Sequence, residues 1–291
     1  MEEEIEITNF NKNTIEDILS RKDVKYSVSY FQRDYSWGKD EWGKLLDDIF
    51  ESLSERRKHF LGFMTFFRPD NSNEIQIIEG QQRLATMTIL AATIRDIFIE
   101  KKDSKWKEID NQLIKTKDIY SEKIFDKLGL SEINRDFFKE YIHKEDRAKE
   151  KTEKMKKEKR LKLSNRLIRD CYNYFHNKLK DQRLLLDILR QATREFIVIT
   201  TEVTNLRSAY ILFQTLNDRG LDLTLSDLLK THLLQKSGDD WKDIKKDWDF
   251  ILNLSGIDNM NIFLRHYWLS TRGTVKEKEL FDKFSSEIKN R

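Results

Sequence analysis

The stretch HFLGFMTFFRPDNSNEIQIIEGQQRLAT, residues 59 to 86, decides the fold. His59 to Phe67 is an apolar run of strand length, rich in aromatic residues. Pro69 to Asn73 collects the residue types that reverse a chain, and Glu74 to Ile78 reads as the partner strand of a hairpin. At Gly80 the pattern changes. The strand ends, glycine permits a tight turn with close backbone approach, and a helix is expected to begin near Gln82 or Arg83. From Leu84 to Phe98 the run is mainly apolar, which predicts a buried helix.

Working outward, Tyr26 to Tyr30 is a short β-type segment. From Lys39 on, Trp42, Leu45, Leu46, Ile49, Phe50 and Leu53 recur at three- and four-residue spacing, an amphipathic helix. Residues 100 to 190 are charged and helical in pattern, with no strand signal. Within them Lys144 to Lys162 holds eight Lys and two Arg against five acidic residues. That run reads as a solvated helix or connector, with a phosphate-binding face as the alternative. Glu195 to Val203, EFIVITTEV, is one late strand. A helix from Asn205 to Leu216 follows, with Gly220 just past its end, and Thr224 or Ser226 caps a further helix through Leu234. The remainder is helical, with an aromatic face of Phe263, Tyr267 and Trp268. The expected class is α+β: a small sheet-containing core over residues 1–100, completed by the strand near 195–203, and a mainly helical extension over 101–291.

Composition agrees with this outline. Hydrophobic residues make up 38% of the 291, enough for a core, while 36% charge and a single proline suit long helices with solvated faces. The net charge of +3 sets up no global field for nucleic acid, although a local stripe is compatible with it. One cysteine, Cys171, excludes a disulfide framework and a cysteine-rich zinc site. The longest uncharged apolar stretch, Leu84 to Ile94, is too short for a bilayer, and the acidic start MEEEIEI lacks the basic region of a signal peptide. A cytoplasmic protein with no membrane partner is expected.

Several common machines are missing. No glycine belongs to a phosphate loop followed by Lys and Ser/Thr or to a dinucleotide fingerprint, and the five histidines lack metal-ligand spacing. No nucleophile elbow surrounds a serine. Three segments carry chemistry instead.

The first is IIEGQQRLAT, Ile77 to Thr86. The unpaired N–H groups at a helix start form an anion site, and Arg83 adds a guanidinium suited to phosphate. Glu79 offers a carboxylate for magnesium or water, and Gln81 and Gln82 offer amides to position a nucleophilic water. The same residues also fit a capped strand-to-helix turn with merely solvated polar groups. The second segment is FQRDYSW, Phe31 to Trp37, where Gln32, Arg33 and Asp34 suit a ligand or a base edge. Tyr35 and Trp37 also suit ordinary core anchors. The third is LFQTLNDRGLDLTLSDLLKTHLL, Leu212 to Leu234, with Asn217, Asp218, Arg219 and Gly220 between two apolar helices and Asp227 and Lys230 behind them. It is either a second pocket wall or a simple helix connection ending in glycine.

Taken in this order, the segments resemble the GmrSD restriction endonuclease N-terminal domain family. A Gln-Arg-x-Tyr-x-Trp motif is matched by Gln32, Arg33, Tyr35 and Trp37, and Asp-Gly-Gln-Gln-Arg by Glu79 through Arg83. Asn-x-Arg-Gly followed by Leu-x-x-x-Asp-Leu is matched by Asn217, Arg219, Gly220, Leu223, Asp227 and Leu228. The resemblance spans roughly residues 10 to 240. It implies a ParB/sulfiredoxin-like nucleotide-binding core with a helical extension. It further implies magnesium with a nucleoside triphosphate as cofactor, nucleoside triphosphate hydrolysis, and modified DNA as partner.

On this resemblance Glu79 holds metal and, with Gln81 and Gln82, serves catalysis; Gly80, Arg83, Gln32, Arg33, Asn217 and Arg219 bind nucleotide; and Gln32, Arg33 and Tyr35 meet DNA. The family's usual Asp is Glu79 here, one methylene longer with the same charge. Cleavage belongs in the family to a nuclease domain or partner subunit, and this chain holds no His-Asn-His constellation. The expected role is therefore the nucleotide- and DNA-sensing part of a modification-dependent anti-phage restriction system. A non-catalytic DNA-binding or regulatory module is the alternative. The number of subunits stays open, a homo-oligomer included.

Overall fold

The structure, a computed structural model, describes residues 7–22, 24–28, 32–68, 73–117, 122–157, 161–203, 225–237, 240–255, 257–276 and 279–288. Its contacts divide the chain into two compact units, Met1–Tyr30 with Asp34–Ile211, and Phe31–Arg33 with Leu212–Arg291.

The first unit is built on a six-stranded mixed sheet. In chain order the strands are β1 (Ile7–Thr14), β2 (Lys25–Val28), β3 (His59–Phe67), β4 (Glu74–Glu79), β7 (Leu128–Gly129) and β8 (Phe196–Val203); in space they run β1-β8-β3-β4-β2-β7. Antiparallel pairing joins β3 to β4 and β1 to β8, while β8 lies parallel to β3 and β2 parallel to both β4 and β7. The class is α+β. Strand β2 is one residue earlier at its start than its apolar pattern suggests, and the turn at 69–72 lies outside the described residues.

Three short strands interrupt the region read as purely helical, which corrects that reading. Besides β7, β5 (Lys115–Lys117) and β6 (Ile124–Asp126) form a separate two-stranded hairpin. At two or three residues each, none is long enough to display a period-two pattern.

Helix α1 (Ile15–Leu19) opens with a capping box in which Thr14 and Asp17 bond reciprocally. Helix α2 (Lys39–Ser54) buries Trp42, Leu45, Leu46 and Ile49, the stripe its spacing predicts. Helix α3 (Gln81–Glu100) starts directly after Gly80 and is buried along nearly its whole length. The smaller helices α4 (Trp106–Ile109), α5 (Glu132–Phe138), α6 (Ala148–Lys157), α7 (Leu163–Leu179) and α8 (Leu185–Arg190) complete the unit.

Two charges lie within α3 at full burial, Arg95 and Asp96. Arg95 donates to Asp96 Oδ1 (2.8 Å), to Asp110 Oδ1 (2.7 Å) and to the carbonyls of Ile142, His143 and Lys144. Wide π-type turns at Asp110–Ile114 and Lys139–His143 bring those acceptors inward. Asp96 also accepts from Lys151 Nζ (2.5 Å) and from the Tyr172 hydroxyl (2.7 Å), so the buried charges are paired. The basic run on α6 is thus anchored by one of its own lysines. Burial pushes the Lys151 ammonium down to about 8, against the opposing pull of Asp96.

The second unit contains α9 (Leu225–Lys236), α10 (Trp241–Ser255), α11 (Ile257–Arg272) and α12 (Leu280–Glu287). They close over Leu229, Trp248, Met260 and Leu264. Lys230 donates to Asp249 Oδ1 at 2.8 Å, a contact between α9 and α10. Among the described residues no helix is long and apolar enough to cross a membrane.

Candidate functional site

Strand β4 ends at Glu79, and Gly80 turns the chain with φ 96°, ψ 6°, the left-handed conformation that disfavours a side chain. A Cβ on Gly80 would lie 2.5 Å from Met64 Cγ, so the turn also presses against β3. Gly80 caps the 20-residue α3 without any side-chain bond to its first turn. Gly80 brings no side chain to the leading N–H groups of this long helix, and Gly80, Gln81 and Gln82 are all buried. The start of such a helix is where an anion is favoured.

Arg83 Nη1 donates to the carbonyl of Phe63 (2.9 Å) and to Glu79 Oε1 (3.1 Å). Beyond Glu79 the β4 backbone leaves the sheet, and Arg83 takes its place against the edge of β3. Its Nε and Nη2 lie over Gly62, where a Cβ would come within 3.4 Å of each. Gly62, at φ 120°, thus leaves room for the guanidinium. Both side chains of the Glu79–Arg83 pair keep about a fifth of their surface exposed (21% and 18%), so the pair is reachable from solvent.

Across the ladder Glu79 pairs with Thr65, which places the two on one face of the sheet. Thr65 is fully buried, and its Oγ1 has no hydrogen-bond partner among the described residues. A buried hydroxyl left without a partner, in the row of a carboxylate, calls for an ordered water or a ligand oxygen. Thr65 carries no signal in the sequence, where it is one polar residue in an aromatic strand.

The amide of Gln82 is engaged with the loop before α2. Its Oε1 accepts from the backbone N–H of Ser36 (2.8 Å) and Trp37 (3.3 Å), and its Nε2 donates to the Asp34 carbonyl (3.1 Å). Gln81 is buried beside it at the helix start. Tyr35 is buried too: its hydroxyl bonds Thr86 Oγ1 (2.8 Å) and accepts from Trp42 Nε1 (2.9 Å), and burial holds it well above the usual tyrosine range. Below the loop, Asn134 Oδ1 accepts from the Tyr35 N–H (3.1 Å), while the Ser131 hydroxyl donates to Asp34 Oδ1 (2.5 Å). Neither Ser131 nor Asn134 stands out in the charged sequence around it.

The first unit therefore gathers Glu79, Gly80, Gln81, Gln82, Arg83 and Tyr35 at one strand–helix junction. Gln32 and Arg33 group with the second unit. Asn217, Arg219 and Gly220 lie outside the described residues, as do the side chains of Asp227 and Leu228.

No group of three or more His, Cys, Asp or Glu side chains suited to a metal exists among the described residues. Glu79 alone fits magnesium only together with phosphate oxygens and water, which is the way that ion is held with nucleotides.

An α+β unit in which a strand runs through a left-handed glycine into a long buried helix defines the class. The model of the GmrSD restriction endonuclease N-terminal domain matches residues 15–234, and the chain belongs to that family. Its role lies in restriction. No curated protein matches the chain.

Proposed function

We propose that this chain is the nucleotide-binding, triphosphate-hydrolysing sensor of a modification-dependent anti-phage restriction system, on a ParB/sulfiredoxin-like core, acting with a nuclease domain or partner. The observation that carries the reading is the Gly80 turn, which presents an uncapped helix start beside Arg83, Glu79 and the orphaned Thr65 hydroxyl. In this reading the first N–H groups of α3 and the free donors of Arg83 receive phosphate. Glu79 holds magnesium or steers water, and Thr65 donates to a ligand oxygen. Magnesium, when bound, neutralises charge on the phosphates. Gln82 acts through the Asp34–Trp37 loop it holds, a positioning role, and Gln81 is assigned to the water. Modified DNA is assigned to Gln32 and Arg33, and Asn217 and Arg219 add nucleotide contacts. Tyr35, expected at the DNA, is instead a core anchor, buried with its hydroxyl bonded to Thr86 and Trp42.

The test is a thermal-shift screen of nucleoside triphosphates with magnesium. At a hundredfold excess over Kd a ligand stabilises the native state by about 2.7 kcal/mol, on the order of 5–10 °C in Tm for a chain of this size. No shift with any triphosphate would sink the reading.

One observation favours a second reading. Glu79 and Arg83 already satisfy one another, and Gln82 is spent on the loop. A DNA-binding or regulatory module that has lost turnover would keep those contacts. Phosphate release, with and without modified DNA, separates the two readings.

A further inference from the structure

Strands β1, β8 and β3 lie side by side, and their register pairs Lys12 with Ile199 and Ile199 with Phe63. In the neighbouring rows Phe60 pairs with Ile197, and Phe10 with Thr201. Directly paired residues project to one face, so Phe10, Lys12, Phe60 and Phe63 share a face opposite the core residues Met64, Phe196 and Val198. A bulge between Phe60 and Gly62 keeps both phenylalanines on that side. The three rings are exposed by 67%, 54% and 44%, and those of Phe60 and Phe63 meet edge to face at 5.6 Å.

Three exposed aromatic rings on one half of a sheet face call for an occupant. Taking about 200 Å² for a whole phenylalanine, they offer together on the order of 300 Å². That is well below the roughly 800 Å² per partner of a stable protein interface. It matches the stacking of a few bases. Two cations border it: Lys12 is exposed in the row of Phe63 and Lys58 is exposed two residues before Phe60, while Arg83, on the Phe63 carbonyl, is paired with Glu79. Aromatic rings bordered by cations are what sequence-tolerant binding of a single strand requires, rings for the bases and cations for the phosphates.

We propose that Phe10, Phe60 and Phe63, with Lys12, form a stacking platform for unpaired bases of DNA. The restriction role of the family supplies the polymer. The platform borders the Gly80 turn and shares Arg83 with it, but its rings take no part in the nucleotide reading, so loss of stacking in the Phe60 and Phe63 variants and loss of nucleotide binding are distinguishable.

The test is fluorescence anisotropy with the whole chain and a labelled single-stranded oligothymidine of about 16 nucleotides, the upper end of site sizes for such platforms. Duplex of the same length is titrated in parallel. The single strand should bind more tightly than the duplex. Phe60→Ala and Phe63→Ala should each weaken it about fivefold to a hundredfold, the range one stacking ring contributes. Phe60→Tyr, which keeps the ring, should bind as wild type. Thermal unfolding of each variant shows whether it folds. Independently of any substitution, crosslinks from 5-iododeoxyuridine in the strand should map to the peptide carrying Phe60 and Phe63. The platform is overturned by equal affinity for single strand and duplex, by crosslinks only elsewhere, or by wild-type binding in both alanine variants. It is equally overturned if those variants turn a sedimenting dimer into a monomer, because a second copy then covers the face.

Discussion

Gly80 meets two constraints at once, a left-handed backbone and a methionine in contact. Gly80→Ala has to carry a Cβ at φ 96° and drive it to 2.5 Å from Met64 Cγ. The backbone cost is roughly 1–2 kcal/mol and the overpacking cost about 1–3 kcal/mol, so a loss of about 2–5 kcal/mol is expected in urea unfolding. Adding Met64→Ala should not rescue the variant fully, because the backbone part remains. Next to it, Glu79 separates binding from turnover. Like charges repel unless a cation bridges them, so a carboxylate here has little reason to attract a triphosphate directly. Glu79→Gln breaks a largely buried but solvent-reachable ion pair with Arg83 at a cost on the order of 1 kcal/mol. Nucleotide should still bind while phosphate release falls on the order of tenfold, ~1.4 kcal/mol of barrier. Turnover at the wild-type rate in that variant would leave Glu79 a structural residue. Thr65→Val keeps shape and removes the orphaned hydroxyl; it should weaken nucleotide binding without lowering stability, read by calorimetry beside urea unfolding.

At the scale of elements, pattern and length set what could be read beforehand. β3, β4 and β8 are long apolar runs, and α2 repeats its stripe over sixteen residues, so each is visible in the sequence. The Gly80–Arg83 turn is visible too, because a glycine between a strand and an apolar helix admits few alternatives. β5, β6 and β7 are not, being too short for any period to show. Nor does any local pattern reveal that Gln82 clamps residues 34–37, since both partners look like ligand-facing polar groups. The burial of Lys127 is equally hidden. Its ammonium hooks the carbonyls of Leu19 and Gln112, and burial lowers it to about 8 from the ordinary 10.5. The unfolded chain holds that proton to higher pH, so unfolding takes up a proton between about pH 8 and 10.5, and stability rises with pH across that window. Lys151 acts in the same direction. Tyr26, pushed up by burial to about 12 from the ordinary 10, opposes them only above about pH 10. Lys127→Met should therefore show a smaller rise in stability between about pH 8 and pH 10 than wild type, measured by denaturant unfolding. Identical slopes would mean that Lys127 is not held down by burial.

For the molecule as a whole, the family match accounts for residues 15–234 and hence for restriction as its setting. That cleavage lies with another domain or subunit is directly testable. Modified phage DNA incubated with this chain, magnesium and triphosphate should stay uncut; cleavage that persists through a second purification would contradict the assignment of the nuclease to another domain or subunit. The central claim is that the helix start after Gly80, with Arg83, binds a triphosphate. Calorimetric titration of magnesium and nucleoside triphosphate into wild type and Arg83→Ala tests it most directly. Loss of a charged hydrogen-bonding partner should weaken binding by about 1.5–3 kcal/mol, on the order of tenfold to a hundredfold in Kd. An Arg83→Ala variant that is folded and binds triphosphate with wild-type affinity would contradict it.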